Sequence, residues 1–191
     1  MQLQADESLL LMVDFQAKLL PVIEEGQSAL ATATWLAGVA QALGVPIWLT
    51  EQYPEGLGHT DSALMETLEH RKVWSKHHFA ATAESDFIDA LAQSGRQQIV
   101  LCGTEAHICV LQTALGLLKA GYRVFWLTDA TASRRGEEAR LARTRACTHG
   151  AEAVSADMVA YEWLERCDSE TFKRLHRTFL KPRASQAVRF F

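Results

Sequence analysis

The chain has 191 residues, 48% of them hydrophobic and 22% charged, with a formal net charge of −4. That is ordinary globular composition; it excludes disorder, and a mildly acidic chain without a basic stripe is a poor nucleic-acid binder. Its longest apolar run, Leu9 to Val13, is far too short to cross a bilayer, and four cysteines without CxxC spacing suit a reducing compartment better than a disulfide scaffold.

In chain order, Ser8–Phe15 is predicted as a buried strand, a continuous apolar run closing on Asp14. Residues 27–43 form a helix, with Leu30, Trp35, Leu36, Val39 and Leu43 on one face and Gly44 as its stop. A strand at Pro46–Thr50 leads into the turn-rich loop Glu51–His59, then a short helix at Ser62–Glu69 and a strand near Val73–Phe79. Helix Glu84–Gln93, strand Gln98–Cys102 and helix Ala106–Lys119 follow. Strand Arg123–Thr128 precedes helix Glu137–Thr148, whose two leading glutamates suit the helix dipole. A last strand near Glu152–Ser155 and helix Asp157–Arg166 precede a terminal helix, capped by Asp168 or Ser169 and running to about Phe179.

Charge is distributed unevenly. Residues 173–191 carry six basic side chains and no acidic one, which leaves thirteen basic against twenty-three acidic groups, a net −10, on residues 1–172. Residues 1–167 are therefore expected to form the domain, with 168–191 a helix and basic tail docked on it or on a sister subunit. Helix 106–119 is apolar almost all round, through Ile108, Val110, Leu111, Ala114, Leu115, Leu117 and Leu118. One face could meet the sheet and another a second copy, so a homo-oligomer, dimer or higher, is expected.

Strands that are unbroken apolar runs, separated by helices, specify a parallel sheet covered on both faces. The expected fold is α/β, a doubly wound sheet of about six parallel strands in a Rossmann-like three-layer sandwich. That class puts a ligand site beyond the carboxyl ends of the strands, where strand order reverses. There is no GxGxxG, GxxxxGK[ST] or GxSxG to indicate a dinucleotide, a P-loop or a serine elbow.

At the strand ends stand Asp14, Lys76 and the run Gly103–Cys109. Cys109 falls in the first turn of a predicted helix, where N–H groups and the dipole favour a thiolate. Cys102 in a strand, and Cys147 and Cys167 in helices, are taken as packing residues. Asp14 could equally cap a helix or form a structural ion pair, and Lys76 alone would suit the exposed side of an edge strand. Together the three are more informative, because this fold brings them to one rim. His77 and His78 point to opposite faces of a strand, and no HxxxH pair occurs, so no metal is expected. His107 is not placed to act as a base for Cys109.

Four segments resemble the isochorismatase-like cysteine hydrolases: Leu11–Gln16, Thr50–Gly58, Lys76–Ala81 and Gly103–Ala114, joined by Thr128–Ala130, Asp157–Val159 and Glu162–Leu164. The resemblance covers roughly residues 8–165, so 1–167 are read as an isochorismatase-like hydrolase domain, and the Thr50–Pro54 stretch is most similar to the isochorismatase domain-containing subgroup. It implies a catalytic triad of Asp14, Lys76 and Cys109, and an oxyanion hole from the backbone N–H groups of Glu105 and Cys109. It also implies a cis peptide at Thr104–Glu105. Gln16 and Gln52 are candidate substrate-binding residues at the same rim, with simple surface or structural roles about equally open to them. The metal-binding Asp and His cluster of the related nicotinamidases is not recognisable in residues 51–60, so neither a metal nor a cofactor is expected.

The expected function is hydrolysis of a small amide, ureido or similar C–N bond through a covalent Cys109 intermediate. The alternatives are vinyl-ether hydrolysis of an isochorismate-like substrate with Asp14 as acid, a non-catalytic interaction protein retaining the fold, and a redox-sensing cysteine protein. The expected setting is cytoplasmic, with a small-molecule substrate, no nucleic acid and no membrane.

Overall fold

The computed structural model describes residues 2–190. The apolar runs become β1 (Ser8–Val13), β2 (Ile47–Gln52), β3 (Lys72–Lys76), β4 (Gln98–Gly103), β5 (Arg123–Thr131) and β6 (Glu152–Val154). Every residue of β1, β2 and β4 is buried, as parallel strands covered on both faces require. All pairings between these strands are parallel, in the order β3-β2-β1-β4-β5-β6. The order reverses between β1 and β4, and that junction is where this fold opens a site.

The helices are α1 (Gly26–Leu43), the single turn α2 (Pro54–Leu57), α3 (Ser62–Thr67), α4 (Ser85–Gln93), α5 (Leu111–Lys119), α6 (Gly136–Thr148) and α7 (Ala156–Leu164). A terminal helical stretch combines α8 (Glu170–Leu175), a π-helical turn at His176–Leu180 and α9 (Lys181–Arg183). Right-handed crossovers running in opposite directions from the β1/β4 junction put α1 and α3 on one face of the sheet and α4, α5 and α6 on the other. In keeping with this, α1 packs on α3 and α7, and α5 packs on α6. Among the described residues no helix is long and apolar enough to cross a membrane.

Several expectations need correction. The helix expected from Ala106 opens with a π-helical turn, Ala106–Val110, before α5 begins. Strand β5 runs on to Thr131, with a register shift: Leu101 faces Trp126, whereas Gly103 faces Thr131. Cys167 is exposed and not a helical packing residue, because Glu165 at φ 57 has already ended α7. Ser169, rather than Asp168, caps α8, accepting from the Phe172 N–H.

The basic tail lies against its own chain. Trp35 of α1 donates to the Phe179 carbonyl, and Arg183 bridges to Asp129 and Asp157. Arg189 pairs with Glu25, while Val188 and Phe190 remain exposed. Phe191 lies outside the described residues.

Candidate active site

Four strand ends supply the site. Asp14 follows β1 in left-handed backbone, φ 53, which turns its carboxylate off the strand. Gln52 closes β2 and Lys76 closes β3, side by side in register. Gly103 closes β4 with φ 143, and a Cβ there would stand 2.1 Å from the Val13 carbonyl oxygen. Only glycine lets β4 turn this close to β1. The turn delivers Cys109 in the π-helical segment, a helix form often found at functional sites.

The four side chains converge. Lys76 Nζ donates to Asp14 Oδ2 at 2.8 Å and to Gln52 Oε1 at 2.6 Å. The Cys109 thiol donates to the same Gln52 oxygen over 3.9 Å, and Thr50 donates to Asp14 Oδ1 at 2.7 Å. Gln52 is itself held by donating to the His77 carbonyl at 2.9 Å. Lys76 is buried although β3 is an edge strand, so its exposed-edge alternative does not hold. The ion pair with Asp14 compensates that burial.

Burial dominates the proton affinities. It pushes the Asp14 carboxyl above its ordinary value, with Lys76 and the Lys76 and Thr50 hydrogen bonds pulling the other way. The Cys109 thiol is pushed up to about 12, first by burial and then by the Asp14 charge, with Lys76 opposing. The thiol and carboxyl therefore compete for protons in one coupled unit. Burial and the Asp14 charge both favour the thiol form of Cys109.

The turn before Cys109 is tied on all sides. The Ala106 N–H donates to Ala132 and the His107 N–H to Ser133 Oγ, while those of Ile108 and Val110 donate to the Glu105 carbonyl. The Glu105 side chain, 4% exposed, accepts from the Arg134 backbone and guanidinium. The implied cis peptide is not there: no cis bond occurs among the described residues, and Gly103 makes the change of direction. His107 is turned to Ser133 Oγ, at 2.8 Å, and away from any role as base.

Gln16 is brought beside the site but not into it. Its amide nitrogen donates to the carbonyls of Gln52 and Gly58, and its oxygen accepts from the Gln52 N–H at 2.8 Å. With all its polar atoms taken, it clamps the β2 loop to β1, the structural one of its two expected roles. Glu51 is similarly occupied, by Thr60 and by His59 at 2.9 Å. Those hydrogen bonds outweigh its burial and hold its carboxyl below its ordinary value. Among the described residues no three His, Cys, Asp or Glu side chains gather as a metal cage. The sequence does not single out Thr50, Ser133 or Arg134 for the site; Thr50 alone leaves a signal, a polar residue closing an otherwise apolar strand.

Fold and site define a doubly wound α/β protein with a buried Asp–Lys–Cys constellation at the reversal of strand order. More particularly, the isochorismatase domain profile matches residues 8–158, and the chain belongs to that family. It is 32% identical to isochorismatase domain-containing protein 2A of Mus musculus, over 93% of this chain and 84% of that one. Isochorismatase domain-containing protein 2 of Danio rerio is 30% identical, over 95% of this chain and 91% of that one. A solved Caenorhabditis elegans protein, described as MAR1 ribonuclease, superposes with a TM-score of 0.88 at 30% identity, covering 94% of this chain and 93% of that one.

Proposed function

We propose that the chain hydrolyses a C–N bond of a small amide or ureide by covalent catalysis at Cys109. The observation carrying this reading is the buried convergence of the Cys109 thiol, the Asp14 carboxylate and the Lys76 ammonium around the Gln52 amide oxygen. Asp14 takes the Sγ proton as sulfur attacks the carbonyl carbon. The backbone N–H groups of Glu105 and Cys109 receive the developing oxyanion, each such donor contributing roughly 3–4 kcal/mol in other enzymes. Asp14 returns the proton to the leaving nitrogen, the C–N bond breaks, and a thioester remains. Water then attacks that thioester with Asp14 as base, releasing the acid and the thiol. Lys76 holds the Asp14 carboxylate in place through its 2.8 Å hydrogen bond.

The worm relative's ribonuclease description suggests another substrate. A thiol 6% exposed and a net charge of −10 over residues 1–172 favour a small molecule over a polyanion. The test follows ammonia release over a panel of amides and ureides, with RNA and an isochorismate-like vinyl ether alongside, in native protein and Cys109→Ala. Turnover lost in the variant, with an acyl adduct on Cys109 by mass spectrometry, is expected. Full turnover by Cys109→Ala, or cleavage of RNA alone, would overturn the reading.

A further inference from the structure

The mechanism uses none of the basic tail, yet one basic residue of that tail is buried. Arg183, 8% exposed, lies beyond the residues matched to the family profile. Its Nε donates to Asp157 at 2.8 Å, and an Nη donates to Asp129 at 3.0 Å. Its guanidinium also lies over the Trp35 ring, 4.4 Å from the centroid. Asp129 is 2% exposed, and its other oxygen accepts from the Ala156 N–H at 3.0 Å.

Asp129 sits in the irregular stretch of β5, where the register against β4 shifts by three residues between Leu101–Trp126 and Gly103–Thr131. The ladder to β4 is locally disrupted there, and the Asp129 side chain ties the stretch to Ala156 and Arg183. Immediately beyond it, Ala132 donates to the Gly103 carbonyl at 3.0 Å and accepts from the Ala106 N–H at 2.9 Å. Ser133 receives the His107 N–H, and the Arg134 N–H reaches Glu105. Thus the backbone that Asp129 anchors is the backbone that holds the turn carrying Cys109.

We propose that Arg183 is a positioning residue for Cys109, acting through Asp129 and the end of β5 on the Gly103–Cys109 turn. The proposal rests on the reading of Cys109 as nucleophile, but its effect on the thiol is measurable without a substrate. A displacement of about 1 Å at a reacting atom can lower a rate by up to about a hundredfold.

The experiment compares the full-length native chain with Arg183→Ala, Arg183→Lys and Asp157→Asn. Limiting iodoacetamide with peptide mass mapping reads the labelling rates of Cys109 and Cys102; melting temperature and, once a substrate is in hand, kcat and KM are read in parallel. Arg183→Ala is expected to label Cys109 about fivefold faster, as the loosened turn exposes it, while Cys102 stays protected and kcat falls about tenfold with KM within about twofold. Arg183→Lys, which keeps the charge, recovers part of both effects. Asp157→Asn removes only the outer arm, so it is expected to move the melting temperature but neither rate. Unchanged Cys109 labelling in Arg183→Ala overturns the proposal, and so does a parallel rise at Cys102, which marks general loosening. Failure to find any amide substrate removes only the kcat arm and counts against the hydrolase reading, leaving the labelling comparison decisive.

Discussion

Lys76→Met deletes one member of an ion pair whose side chains are 1% and 0% exposed and whose charged atoms stand 2.8 Å apart. Removing one partner of a buried pair costs about 3–5 kcal/mol, because the other is left buried and uncompensated. Here the remaining partner has an escape. Burial already pushes the Asp14 carboxyl above its ordinary 3.8, and without the Lys76 charge it rises further and takes a proton. The loss should therefore fall at the low end, about 3 kcal/mol near neutral pH, or about 6–12 °C in Tm for a domain of this size. The sign of the pH dependence follows from the raised folded-state value. The added penalty is absent below the unfolded pKa and grows as pH rises through the folded one. In the double variant Asp14→Asn, Lys76→Met no charge is buried, and most of the loss should return. Urea melts of the native chain, both single variants and the double variant, at about pH 4 and about pH 7, close the cycle. A loss under about 1 kcal/mol at neutral pH, or a double variant no more stable than Lys76→Met, would refute the reasoning.

Once a substrate is found, kcat/KM should rise on an acid limb above 3.8, as Asp14 gives up its proton, and stay level past 9.0, because the thiol is pushed up to about 12. An alkaline transition at the ordinary thiol value would contradict that assignment. Exhaustive EDTA treatment should leave turnover intact, since the buried Glu51 carboxylate is already taken by Thr60 and His59; loss restored by Zn²⁺ would refute this. In the native chain, limiting iodoacetamide should label exposed Cys167 before Cys109, with Cys102 last; Cys109 labelling first would show that burial does not control its reactivity. Light scattering should give a mass above the 21.2 kDa monomer, because Ile108, Leu115 and Leu118 are only partly buried along one helix; a monomer at micromolar concentration would count against an oligomer.

Asp14, Lys76 and Cys109 could be grouped in the sequence because a parallel sheet sends the carboxyl ends of its strands to one rim, whatever their separation along the chain. The same logic reached Gln52, the last residue of β2. It failed where side-chain direction, not strand position, decides the outcome. Gln16 and Gln52 look alike as sequence, yet Gln16 spends its amide on backbone groups while Gln52 spends its own on Lys76 and Cys109. Lys76 reads as half exposed, since β3 is an edge strand; only its tertiary partners make burial tolerable. The β5 extension through Thr131 was invisible because Asp129 breaks the apolar run, and the reason for that break lies 54 residues away at Arg183.

The thiol shows how a correct local argument can be outweighed. The start of a helix and a nearby ammonium both favour a thiolate, and the sequence supports each of them. Neither argument contains the desolvation of a sulfur that is 6% exposed, nor the charge of Asp14, which together carry Cys109 in the opposite direction. That outcome suits the proposed chemistry. A thiolate beside a protonated Asp14 would already be the attacking group and would need no base, but burial and the Asp14 charge favour the proton on sulfur instead. A thiol beside a carboxylate keeps the proton on sulfur until a carbonyl carbon arrives. Attack and proton transfer to Asp14 then proceed together, and Lys76 stabilises the pair before and after. The raised proton affinity is therefore compatible with a nucleophilic Cys109, provided that Asp14 is its base. Asp14→Asn should accordingly abolish acylation while leaving the thiol present; acyl-enzyme formed at the native rate in that variant would separate the nucleophile from its assigned base.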